Sequence, residues 1–175
     1  MNHDSYSDEY ISEILREVRT VALIGASTNP ARPSNMVMRF LLSHGYEVHP
    51  VNPGLEGGDI HGREAYARLP DVPAPVDMVD IFRNSAAALE VTRAAIRFKD
   101  QLQIKVVWMQ QGVRNDEAAA EAEAAGLKVV MNRCPKIEYA RLAGEIGWNG
   151  INSRVISSKK PTMRSGFQSF GIRQK

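Results

Sequence analysis

Residues 25–34, GASTNPARPS, gather groups suited to holding an anion. Gly25 and Ala26 begin a turn with small residues, Ser27 and Thr28 offer hydroxyls and backbone N–H groups, and Arg32 adds positive charge. Ser34, or Asn35 beside it, can cap a helix that follows. The stretch reads either as a phosphate loop or as a plain strand-to-helix turn. Arg83 follows the apolar and acidic run VDMVDIF, and a guanidinium at a strand's carboxyl end can fork onto phosphate or pair with Asp77 or Asp80. Gln110 and Gly112, behind VVWM, either meet a ligand's amide groups or only make a turn. Cys134 stands before Pro135 at a helix start, where the dipole lowers a thiol's pKa, yet no histidine is near enough in sequence to suggest a Cys/His pair. The histidines at 3, 44, 49 and 61 have no metal-ligand spacing, so neither a metal site nor a catalytic residue is assigned.

The elements that must position these groups are legible in the hydrophobic pattern. Residues 21–24, VALI, form a short apolar run of the kind that is buried on both faces as a strand. After the loop, Val37, Phe40, Leu41 and His44 fall at helical spacing, Gly45 ends the helix, and residues 47–51 start a second strand. At such a βαβ opening, unpaired N–H groups and the positive end of a helix converge, which is a setting for phosphate. Upstream, Ile11, Ile14, Leu15 and Val18 mark an amphipathic helix that covers the sheet.

Residues 57–62, GGDIHG, suggest a short, irregular third strand, and the three prolines of YARLPDVPAP make a surface connection. Strands at 76–82, 104–109 and 127–131 then alternate with helices reaching about Phe98 and Ala125, and a last helix opens on Pro135. Trp108, inside a strand, reads as core. The expected fold is α/β: a doubly wound parallel sheet in three layers, Rossmann-like, with strand order three-two-one-four-five. In such a sheet the ligand lies beyond the carboxyl ends of the strands, where the loops just described would meet.

The fingerprint of dinucleotide folds is missing: G-x-G-x-x-G would need glycine at 27 and 30, where Ser27 and Pro30 stand. Nor does the second strand end in the acid that grips an adenosine ribose diol; it ends in Val51, Asn52, Pro53 and Gly54. A neutral Asn52 suits a ribose that carries a phosphate, or belongs to a bare turn. The βαβ opening alone keeps an NAD(P)-binding oxidoreductase or redox sensor as the alternative.

With 175 residues, 43% hydrophobic and 24% charged, the chain has the make-up of one globular domain. No apolar run is long enough for a membrane span, and the polar, acidic start does not resemble a secretory signal, so a cytoplasmic protein is expected. A single cysteine rules out an internal disulfide. The last 25 residues hold six basic side chains and no acid, leaving 16 basic against 20 acidic residues in the first 150. We divide the chain into a domain at 1–150 and a basic tail at 151–175, read as a solvated tail and not as a nucleic-acid arm.

Five blocks in order carry a resemblance: VALIGAST-x-P-x-R-P-S, GYEVHPVNPG, VDMVDIFRNS, VVWMQQGV-x-N-x-x-A and AGL-x-VVMNRCPKIEYARL. Together, over about residues 10–143, they resemble the small stand-alone CoA-binding domain proteins, the YccU-like family, whose fold is that of the amino-terminal domain of the succinyl-CoA ligase alpha subunit. The resemblance implies coenzyme A or an acyl-CoA as ligand, with its diphosphate over Gly25, Ala26, Ser27 and Thr28. Arg32 would help with a phosphate, the adenosine would lie near Val51, Asn52 and Pro53, and Phe82, Arg83, Gln110 and Gly112 would line the rest of the crevice. It leaves room for a homodimer and for a mixed disulfide between Cys134 and CoA. In the ligase a second domain carries a phosphorylated histidine; this chain has no room for it, so binding without catalysis is expected.

Overall fold

The computed structural model describes residues 1–143, and the basic tail lies outside the described residues. Helix α1 (Asp8–Glu17) is started by Ser7, whose hydroxyl accepts from the N–H of Tyr10. Then come β1 (Thr20–Ile24), α2 (Pro33–Ser43) and β2 (Glu47–Val51), the expected βαβ opening. Strands β5 (Met78–Ile81), β6 (Val106–Met109) and β7 (Lys128–Val130) follow, joined by α3 (Ser85–Arg97) with the short α4 (Lys99–Leu102) and by α5 (Asp116–Ala124); α6 (Pro135–Leu142) closes the described fold. Asn84 and Asn115 cap α3 and α5, each accepting from an N–H three residues on.

The sheet is parallel throughout, in the order β2-β1-β5-β6-β7. Because side chains alternate, each strand feeds two cores. Ala22, Val79, Ile81, Val107 and Met109 pack on the side of α3 and α5, whereas Val21, Leu23, Met78, Val106 and Trp108 pack with residues of α1 and α2. The molecule is the three-layer, doubly wound fold expected, and Trp108 is fully buried, its indole N–H donating to the Arg133 carbonyl at 2.8 Å.

Two expectations need correction. The third strand does not join the sheet. Residues 59–64 fold into their own hairpin, β3 (Asp59–Ile60) against β4 (Arg63–Glu64), turned at His61 and Gly62, both with positive φ. Two-residue strands cannot span the sheet, and the place beside β2 is taken by one bridge, Val51 to Tyr66, so the order among long strands is two-one-three-four-five. The buried stripe of α2 is also shifted: Val37, Met38 and Leu41 face the core, while Phe40 and His44 stand at its margin and stack on each other beside Tyr139.

At the far side, β7 has no strand beyond it among the described residues. Tyr10 places its hydroxyl between the N–H and the carbonyl of Val129 (3.1 and 3.2 Å), and Tyr6 accepts from the N–H of Met131 at 2.7 Å. Helix α1 thus packs on the sheet, and its Tyr10 together with Tyr6, just ahead of the helix, finishes the edge.

Candidate functional site

Strand order reverses between β1 and β5, and the chain leaves both strands on the same side of the sheet. A cavity of about 620 Å³ opens there, lined by Gly25, Ser27, Arg32 to Ser34 and Val37 on one wall, and by Phe82, Arg83, Gln110, Gln111, Val113 and Cys134 on the other.

The first loop is built by its neighbours. The N–H groups of Gly25 and Ala26 both donate to the carbonyl of Val51, which ties the start of the loop to the end of β2. Asn52 then donates through Nδ2 to the Ala26 carbonyl (2.8 Å), and Asn35, buried at the head of α2, donates through Nδ2 to the Ser27 carbonyl (2.9 Å). His61 of the hairpin meets Asn35 Oδ1 at 2.9 Å, so the hairpin steadies the clamp. With two carbonyls held from opposite sides, the N–H groups of Ser27 and Thr28 are left without a hydrogen bond among the described residues.

Gly25 is required where it stands. Its φ is +91°, and a Cβ would lie 2.6 Å from the Phe82 carbonyl oxygen and 3.3 Å from the Cδ of Arg83. The close approach brings the Arg83 stem over the loop.

Helix α2 begins two residues earlier than a cap at Ser34 would place it. Pro33 occupies the first helical position and Arg32 precedes it with no side-chain cap, so Ser34 and Asn35 lie inside the helix. Pro33 has no N–H, Asn35 and Met36 donate to the Arg32 carbonyl, and the N–H of Ser34 remains unpaired among the described residues. Three free N–H groups, of Ser27, Thr28 and Ser34, therefore stand at the mouth of a helix. Neither Arg32 nor Arg83 has a carboxylate partner among the described residues: Asp77 is engaged by Lys105 at 2.7 Å and Asp80 by Gln110. Unspent donors and charge at one place are what an anion site requires.

Of the residues singled out in the sequence, the cavity collects Gly25, Ser27, Arg32, Ser34, Phe82, Arg83 and Gln110. It does not collect Ala26, Thr28, Val51, Asn52, Pro53 or Gly112. Asn52 spends its amide on Ala26 and on the N–H of Gly54, and the Gly112 N–H donates to Asn132 Oδ1 at 2.8 Å. Pro33, Val37, Gln111 and Val113 also line the cavity and were not singled out as ligand contacts in the sequence. Cys134 lines the wall, but the expected lowering of its pKa does not hold. Burial pushes the thiol up, and Asp80 adds to this, against the lowering by the N–H groups of Ile137 and Lys136.

Asp80 lies behind Gln110. It is 0% exposed, and both its oxygens lie near Gln110 Nε2, at 2.8 and 3.0 Å. Burial pushes its carboxyl up to about 7, and the Gln110 hydrogen bond offsets only part of that. Among the described residues no cluster of three metal-ligating side chains exists, and no helix is long and apolar enough to cross a membrane.

The profile of a family described as CoA binding domain matches residues 19–140. Uncharacterized protein YneT of Bacillus subtilis (strain 168) is 33% identical over 130 residues, which are 74% of this chain and 92% of that one. A hypothetical protein from Pyrococcus horikoshii OT3 is similar in structure, with a TM-score of 0.74 at 41% identity, over 82% of this chain and 97% of that one. Part of the chain, 39%, is 37% identical over 75 residues to 16% of the acetate–CoA ligase (ADP-forming) I subunit alpha of Pyrococcus furiosus.

Proposed function

The chain belongs to the family of CoA-binding domain proteins, and on that premise we propose that it binds coenzyme A or an acyl-CoA in the cavity between β1, β5 and α2, without transforming it, as a carrier, a sensor or a partner subunit. The observation that carries this reading is the set of unspent donors: the N–H groups of Ser27 and Ser34 in the cavity and of Thr28 in the same loop just outside its lining, beside Arg32 and Arg83 without carboxylate partners among the described residues. A diphosphate presents several acceptor oxygens on one compact, doubly charged group, and this set matches it in sign and in number.

The adenosine would lie toward Val51, Asn52 and Pro53, where no acid ends the strand to repel a ribose phosphate, and the arm would run past Phe82 toward Gln110 and Cys134. With burial raising its pKa, Cys134 is poor in thiolate. A mixed disulfide with CoA is therefore the less favoured form of binding.

Native mass spectrometry of the purified protein, with calorimetry against CoA, acetyl-CoA, NAD and NADP in separate runs, tests the reading. We expect saturable one-to-one binding of CoA, with NAD and NADP at least tenfold weaker. Tight NAD binding with no response to CoA would replace it with the oxidoreductase or redox-sensor alternative.

A further inference from the structure

Gln110 is only 5% exposed, yet it lines the cavity. Its Nε2 is committed to the carboxyl of Asp80, while its Oε1 has no hydrogen bond among the described residues. The fully enclosed side-chain polar atoms that lack a hydrogen bond there are His3 Nε2 and Thr92 Oγ1. Gln110 Oε1 is not one of them, so it is an acceptor that the cavity reaches. A carboxamide is nearly symmetric in shape, and what decides whether oxygen or NH2 faces a ligand is the partner behind it. An ionised carboxylate only accepts, so it selects the orientation with NH2 toward itself.

We propose that Asp80 is a positioning residue that holds Gln110 with Oε1 toward the cavity, where it accepts a hydrogen bond from an amide N–H of the cofactor's pantetheine arm. The proposal rests on the CoA reading above and assigns one element of its specificity. In the sheet, β6 lies two strands from β1, so Gln110 stands about 10 Å across the strands from the anion grip. An arm leaving a diphosphate over the first loop brings its secondary amides into that range.

The arrangement has a consequence for pH. Once Asp80 is protonated, its O–H can donate to Gln110 Oε1, the carboxamide can turn, and a donor then faces the ligand's N–H. With burial raising the Asp80 carboxyl to about 7, the change falls near neutrality. Few groups compete with it: Leu23 of β1 and Trp108 of β6 flank Asp80 in register and carry no charge. Cys134 at the head of α6 is the titratable side chain whose pKa Asp80 raises, and Arg83 enters the same cavity from the end of β5.

Calorimetry with CoA at pH 6 and pH 8.5 tests this on the wild-type chain, Asp80→Asn and Gln110→Met, with adenosine 3′,5′-bisphosphate as a probe that lacks the arm. The ligand's own titration is common to all three proteins and cancels. We expect the wild type to gain about fivefold in CoA affinity from pH 6 to pH 8.5 beyond the gain of either variant, the worth of one neutral hydrogen bond. At pH 8.5, Gln110→Met should bind CoA about fivefold more weakly than the wild type and the bisphosphate equally well. Wild-type CoA affinity in Gln110→Met, a wild-type pH slope in Asp80→Asn, or equal weakening of both probes overturns the proposal and leaves the CoA reading standing. Failure of the wild type to bind either probe overturns the CoA reading itself. Should Asp80→Asn not fold, Gln110→Met decides alone.

Discussion

Asp77 and Asp80 lie at opposite ends of one strand segment, both withdrawn from water, at 6% and 0% exposure, and the two ends of the sheet treat them in opposite ways. At the amino end, burial pushes Asp77 upward, but hydrogen bonds from Lys105 and from the N–H groups of Arg19 and Thr20 outweigh it and hold the carboxyl below the usual range. At the carboxyl end, Asp80 has one amide and no cation among the described residues, and burial wins. Asp77 is satisfied and joins β1, β5 and β6 at their starts. Asp80 is left in tension, at the end of the sheet where a loop also withholds its N–H groups and where Arg32 and Arg83 have no carboxylate partner among the described residues. One end of the sheet has closed its polar accounts within the chain, and the other keeps groups available for a ligand.

Substitutions can break or sharpen this contrast. The largest effect should come from Asp77→Ala, which leaves two backbone N–H groups without their acceptor; we expect a loss of about 3 kcal/mol in urea unfolding at pH 7, with CoA affinity of the folded fraction unchanged. Asp80→Asn should have the opposite sign. A carboxyl whose folded pKa lies above its unfolded value contributes stability that is complete below the ordinary carboxylate pKa and is lost as pH rises through about 7. Unfolding curves should therefore show the variant gaining about 2 kcal/mol on the wild type at pH 8, and little at pH 4. An equal difference at both pH values would remove the contrast between the two aspartates.

Arg83→Gln, which alters an exposed side chain with no carboxylate partner among the described residues, should change stability by less than about 0.5 kcal/mol and weaken CoA binding about tenfold, as read by calorimetry. Smallest of all, Cys134→Ser should leave CoA affinity within about twofold, one weak sulfur contact being lost. A larger loss under reducing conditions would give the thiol a role in binding.

The βαβ opening and the α/β layering followed from local pattern, because strand runs and helix stripes are written in neighbouring positions. Ser34 was misread as a cap because Pro33, which prefers the first helical position, moves the boundary back. The role of Asn52 was hidden in another way. Its side chain crosses from the end of β2 to the Ala26 carbonyl and holds the loop, a role that neither the ribose contact nor the bare turn had included. Least legible was the pair of Asp80 and Gln110. It exists because β5 and β6 align Asp80 with Trp108, which sets the residue two places further along β6 on the same face, and register is a property of the assembled sheet.

The hydroxyls of Tyr6 and Tyr10 along β7 settle a separate matter. An outer strand with bare amides invites a neighbouring molecule to zip onto it, and a row of such additions grows into a filament. Here Val129 and Met131 already have phenolic partners, and at the opposite margin Pro50 offers no N–H while Tyr66 bonds across it. A second copy of the chain would have to expel these groups to lengthen the sheet, so any pairing between copies is steered onto the helical faces.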